Sequence, residues 1–126
     1  MRARPIDVSL AWWFDGVRGL RTVPGYASST PGLYVHRVPE SALSDESTPV
    51  QLGDTWQITN GKGLLVFSGF ASRALALAVA DALAEVRIDW RRVHSNRRAM
   101  AWLPQARDVM TRTLARERRR RRARAS

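Results

Sequence analysis

Arg118 to Arg122 is an unbroken run of five arginines, extended by Arg116 and Arg124. Guanidinium groups stay charged and are almost never buried without partners, so no core can include this stretch. Any folded body must be built from the residues before it. On a helix, like charges three or four apart also repel, so the run gains little by folding alone. The charge is regional. Residues 87–126 hold fourteen arginines against Asp89, Asp108 and Glu117, a net of +11, whereas residues 1–86 are close to neutral at −1. A neutral body with a cationic end reads as an effector arm for a polyanionic partner. Only Lys62 among the 21 basic residues is lysine, a bias that a GC-rich genome produces by itself. The clustering of arginine therefore carries the inference, and its excess over lysine does not.

The chain has 126 residues, 44% of them hydrophobic, which suffices for one compact core with an attached arm. It has no cysteine, which removes disulfides, thiolate catalysis and cysteine-based zinc sites. No apolar run reaches 18 residues, so no spanning helix is expected. Asp7 and Ser9 interrupt the basic start of the chain and argue against a signal peptide, so the expected location is cytoplasmic.

Ile6, Val8, Leu10 and Trp12 alternate with Asp7, Ser9, Ala11 and Trp13, the period of a strand with one buried face. Asp15-Gly16 ends it. Val17 to Gly32 holds Gly19, Pro24, Gly25 and Pro31 with several hydroxyl residues, which predicts a loop. Leu33 to Val38 predicts a second strand stopped by Pro39, and Pro39 to Pro49 a mobile surface loop. Asn60-Gly61 between Thr55–Thr59 and Leu64–Phe67 predicts a hairpin with a type I′ turn. A two-residue turn there would pair Trp56 with Leu65 and Ile58 with Gly63, placing Trp56, Leu65 and Phe67 on the core face. Ser72 then caps a helix to about Val86, with Leu75, Val79, Ala82, Leu83 and Val86 as its apolar stripe. A last helix is expected from Pro104 to about 118, because proline is tolerated in a first turn.

Little in the chain suggests catalysis. His36 and His94 stand 58 positions apart with no metal-ligand spacing around either. Asp81 and Glu85, at i and i+4, read as a solvated helix face. The hydroxyl-rich segment Ala27–Thr30 lacks a neighbouring base, and Gly61-Lys62-Gly63 lacks the frame of a phosphate loop. No enzyme activity, metal or cofactor is expected. Trp13 and Trp90 are the candidate stacking platforms for bases.

The segment from Trp56 to Trp90, with its tryptophan-led hairpin, alanine-rich helix and terminal Asp89-Trp90, is similar to small, uncharacterised proteins of actinobacterial phages and integrated mobile elements. The resemblance implies an intracellular bacterial or phage setting and brings no activity with it. The topology also resembles the three-stranded-sheet-plus-helix DNA-binding modules of integrase arms, although the hairpin face of Thr55, Gln57 and Thr59 has none of the expected Arg or Lys.

The expected fold is therefore α+β. A small antiparallel sheet of three to four strands with one packed helix fills residues 1–90, and a basic C-terminal helical arm fills 91–126. The expected function is non-enzymatic binding of nucleic acid, DNA or RNA, with low sequence selectivity. Its phosphate contacts would come from Arg91, Arg92, Arg97, Arg98, Arg107, Arg112, Arg116, Arg118, Arg119, Arg120, Arg121, Arg122 and Arg124. The alternative is a phage or mobile-element accessory or assembly protein whose arm meets an acidic protein partner; no membrane partner is expected.

Overall fold

The computed structural model describes residues 4–14, 17–39, 52–61, 65–93 and 99–125. The fold is α+β, with one five-stranded antiparallel sheet whose strands lie in chain order: β1 (Arg4–Phe14), β2 (Val17–Ala27), β3 (Leu33–Pro39), β4 (Leu52–Asn60) and β5 (Leu65–Phe70). Two helices follow, α1 (Arg73–Ala82) and α2 (Leu103–Ala125), with 3-10 turns at Leu83–Glu85, Trp90–Arg92 and Ala99–Trp102.

The extra strand is β2, where a loop was expected. Every residue from Arg4 to Phe14 has a partner between Ala27 and Val17, and Phe14 pairs with Val17 with only Asp15 and Gly16 between them. Pro24 stands opposite Asp7 in the β1–β2 ladder, one residue beyond the β2–β3 ladder, which covers Gly25 to Ala27. Gly25 is needed for packing. A Cβ there would lie 2.6 Å from both the Val35 carbonyl oxygen and Val8 Cγ2. Val8, Leu10 and Val23 bury themselves with Ile6, Tyr34 and Leu52 as a small second core, as the alternation predicts for Ile6, Val8 and Leu10; the Trp12 side chain lies outside the described set.

The β4–β5 hairpin forms, but not through the expected turn. Trp56 pairs with Phe70, Ile58 with Phe67 and Thr59 with Leu65, with irregularities between them. Gly61 is not among the positive-φ glycines, so the type I′ geometry is absent. The shifted register takes Leu65 off the core face, while Phe67 opposite Ile58 packs, partly buried, against the core as expected. Val66 and Phe70 enter the core, while Leu65, assigned inward by the short-turn count, is 50% exposed. The remainder of the connection, residues 62–64, lies outside the described residues, as does the stretch 40–51 that contains most of the expected mobile loop.

The main core lies between the sheet and the helices. Leu33, Val35 and Ile58 face Val79, Leu83 and Trp90, and Trp102, Ala106 and Val109 of the C-terminal segment close the same cluster. Residues on both sides of position 90 thus share one core. Ser72 caps α1 as expected, its hydroxyl oxygen accepting from the Leu75 N–H at 3.2 Å. Pro104 sits in the first turn of α2.

Three polar tethers lock the layers together. The Thr30 hydroxyl donates to the Ala80 carbonyl at 2.6 Å, and the Ser29 N–H donates to Asp81 Oδ1 at 2.7 Å, so the β2–β3 turn covers the end of α1. Gly32, at φ +88°, brings this turn against Arg91, where a Cβ would lie 2.9 Å from the backbone nitrogen. Asn60, fully buried, donates through Nδ2 to the carbonyls of Trp90 (3.0 Å) and Val93 (2.8 Å). This residue is a strand-to-turn tether.

Candidate nucleic-acid interface

Of the expected arm, residues 91–126, the first part packs in the main core, and the exposed, arginine-rich part is the second half of α2. The buried stripe of the C-terminal segment starts at Trp102 in the preceding 3-10 turn and runs through Ala106, Val109 and Thr113 of α2, with Glu117 half-buried. From Arg118 to Arg124 every residue is exposed. The helix nevertheless continues to Ala125. Arginine is a good helix former, and cations at a helix C-terminus oppose the macrodipole favourably, which offsets repulsion between pairs such as Arg118 and Arg122. Eight residues past Glu117 extend about 12 Å and carry six arginines.

The thirteen arginines expected to meet phosphate fall into three groups. Arg107, Arg116, Arg118, Arg119, Arg121, Arg122 and Arg124 form no ion pair among the described residues. Arg91 and Arg92 share Asp89 at 3.0 and 3.5 Å, Arg112 bridges Glu85 (3.1 Å) and Asp108 (3.0 Å), and Arg120 meets Glu117 at 3.4 Å. Ion pairs this exposed are weak and exchange readily for another anion. Arg97 and Arg98 lie outside the described residues.

The two helices run in opposite directions. Glu85, beyond the end of α1, meets Arg112, whereas Ala74 and Leu77 in its first half line one cleft with Glu117 and Arg120. Arg4, Ala27 and Ser28 complete that cleft, so the cationic end of α2 points toward the start of α1 and the β1–β2 edge.

Trp90 cannot present a face to a base in this fold. It is 1% exposed, packs edge-on against Trp102 with ring centroids 5.0 Å apart, and donates its indole N–H to the Leu83 carbonyl at 3.3 Å. The arginines around it (Arg87, Arg91 and Arg92) made it a stacking candidate, but the Asn60 and Gly32 contacts hold the segment inward. The Trp13 side chain lies outside the described set, its backbone pairing with Arg18. A different aromatic pair is partly exposed. Tyr26 and Trp56 stand on the helix side of the sheet with centroids 6.3 Å apart, and the Arg73 guanidinium lies 4.5 Å from the Tyr26 ring centre. Strand periodicity had assigned Trp56 to the core, and Tyr26 lay in the expected loop.

The titratable groups are occupied structurally. His36 is fully buried; its Nδ1–H donates to the Arg37 carbonyl at 2.9 Å, leaving Nε2 to accept from the Thr59 hydroxyl (3.2 Å) and the Gln57 amide (3.4 Å). Burial lowers its pKa, against a smaller opposing effect of the backbone bond. Gln57 and Thr59 are buried as well, so of the hairpin face likened to an integrase reader only Thr55 is exposed. The hydrogen bonds from Arg91 hold the Asp89 carboxyl below its usual range. Glu85 and then Asp108 raise the pKa of Arg112. His94 lies outside the described residues. Among the described residues, no three potential metal ligands cluster, and no helix is long and apolar enough to cross a membrane. No family model, curated protein or solved structure matches this chain.

Proposed function

We propose that this chain binds nucleic acid, holding phosphates by charge through the last two turns of α2. The observation that carries the reading is the segment Arg118 to Arg124, exposed throughout, with Arg120 its only ion-paired side chain among the described residues. A solvated helix in a folded protein normally alternates charge sign along its exposed face, as Asp108 and Arg112 do about two to three turns earlier. Here the alternation stops where packing stops. Cations on every side of a helix favour a partner that surrounds it with negative charge, and phosphate backbones do so without regard to sequence. Arg116 and Arg107 extend the field along α2, and Arg112, Arg91 and Arg92 join by exchanging carboxylate for phosphate. The protein acts by binding, with low sequence selectivity and no cofactor. A gel-shift series with duplex DNA, single-stranded DNA, RNA and heparin competitor tests the reading. Affinity for all three nucleic acids that heparin abolishes is expected; absence of binding at low salt would reject it.

A further inference from the structure

We propose that the Tyr26–Trp56 pair, with Arg73 and Arg37, is a stacking site for a base of single-stranded nucleic acid, an inference that rests on the phosphate-binding arm and specifies the strand it holds. Both rings lie on the face that carries Val35 and Ile58, since Tyr26 pairs with Val35 and Trp56 is two residues from Ile58. They pack on the edge of the main core, partly buried and partly open to solvent. Their planes are tilted by 45°, so the two rings do not stack face to face on each other.

Arginines border the pair. Arg73, the first residue of α1, reaches over Tyr26 and donates to its hydroxyl at 2.6 Å, and it has no carboxylate partner among the described residues. Arg37 is held on the other side, its Nε donating to the Gly53 carbonyl at 2.6 Å and one Nη facing Asp54 at 3.5 Å. Trp56, Tyr26 and Arg37 line a cleft of about 480 Å³ together with Pro5 and Leu52, within the size range of small-ligand sites. Asp7 is the one carboxylate in its lining among the described residues, a suitable acceptor for an exocyclic amino group.

The position of this cleft connects it to the arm. Arg4, Ala27 and Ala74, which line the cleft beside Arg120, adjoin Pro5, Tyr26 and Arg73 in the chain. A strand bound to the arginines of α2 therefore passes Arg4 and Arg73 and arrives at two partly exposed rings. Aromatic faces flanked by arginine bind unpaired bases of any identity, whereas a duplex keeps its base faces stacked and cannot use them.

The test measures fluorescence polarisation of the full chain with labelled 12-nucleotide oligodeoxycytidine, an abasic strand of equal length and charge, and a 12-bp duplex. The parent is expected to bind oligodeoxycytidine about 5- to 150-fold tighter than the abasic strand, the range for one stacked base. Trp56→Leu should remove that difference and leave abasic and duplex affinities unchanged. Arg73→Gln, at an exposed position, should narrow it and decides the matter if Trp56→Leu fails to fold. Changing Arg118 to Arg122 to glutamine should instead weaken all three. Equal parent affinity for the base-bearing and abasic strands, or a difference that survives both site variants, would overturn the stacking site while the arm reading stands. No binding of any probe would reject the arm reading itself.

Discussion

Asn60→Asp separates the two roles that an asparagine before a glycine can have. As a turn residue, Asn60 would tolerate the change, because Asp-Gly suits a type I′ turn as well as Asn-Gly. As a tether, it supplies two N–H donors to the Trp90 and Val93 carbonyls from a fully buried position, and a carboxylate supplies none. In Asn60→Ala, the Val93 carbonyl loses its only described side-chain donor, a loss of about 1–3 kcal/mol for a buried acceptor. The Trp90 carbonyl retains a long bond from the Val93 N–H at 3.4 Å and loses less. The sum is about 2–4 kcal/mol, a large share of a typical stability of about 5–15 kcal/mol. The aspartate variant should lose more at neutral pH, since its carboxylate faces two carbonyl oxygens. Its carboxyl pKa would be raised in the fold, so the variant should be less destabilised at pH 4.5 than at pH 7. Urea unfolding monitored by circular dichroism at both pH values measures this. An Asn60→Asp protein within about 0.5 kcal/mol of the parent at pH 7 would refute the tether.

Two glycines should behave oppositely under the same assay. Gly32→Ala, at φ +88° and against the Arg91 backbone, should lose about 2–3 kcal/mol, whereas Gly61→Ala meets only the Tyr34 ring at 3.7 Å and should stay within about 0.5 kcal/mol. Comparable losses would mean that the register of the hairpin is wrong. His36, with its pKa lowered by burial, binds its proton more weakly in the folded than in the unfolded chain. Its contribution is complete above the unfolded value near 6.5 and is lost as pH falls below it, with a slope of up to about 1.4 kcal/mol per unit. His36→Gln should flatten that slope between pH 6.5 and 5, and an unchanged slope would assign it to other groups. Glu85→Gln combined with Asp108→Asn releases Arg112 from both partners; duplex affinity should rise, and an affinity at or below the parent's would place Arg112 outside the interface.

The outline of the fold was legible wherever a pattern was local. Ile6, Val8 and Leu10 have the period of a half-buried strand, Ser72 marks a helix start, and Pro104 marks another. What escaped was set by contacts distant in sequence. Val17–Ala27 carries Gly19, Pro24 and Gly25, which weigh against a strand, yet Gly25 is there because Val8 and the Val35 carbonyl crowd it. Asp15-Gly16, read only as a strand end, is the two-residue connection, while Asn60-Gly61 lies in a longer one. The tethers from Thr30 to Ala80 and from Asn60 to Val93 span 50 and 33 positions, and no local rule anticipates them.

The candidate site divides along the same line. The arginine run is visible because charge density needs no tertiary information, although which arginines stay unpaired depends on Glu85, Asp108 and Asp89. The aromatic pair was invisible, because Tyr26 and Trp56 meet only through the pairing of β2, β3 and β4. Trp90 was misplaced because the arginines beside it in sequence report local charge and not whether the ring between them is covered.

The central claim is that Arg118 to Arg122 hold phosphate by charge, and the salt dependence of duplex affinity tests it most directly. Each phosphate neutralised releases condensed counterion, giving a slope of log affinity against log salt of about −0.9 per contact. About five engaged arginines give about −4 to −5. Replacing all five with glutamine should weaken binding to every sequence by a similar factor and give a much flatter slope, whereas replacing them with lysine should retain most of the affinity. A glutamine variant that binds DNA and RNA as tightly as the parent, with the same salt slope, would contradict the account.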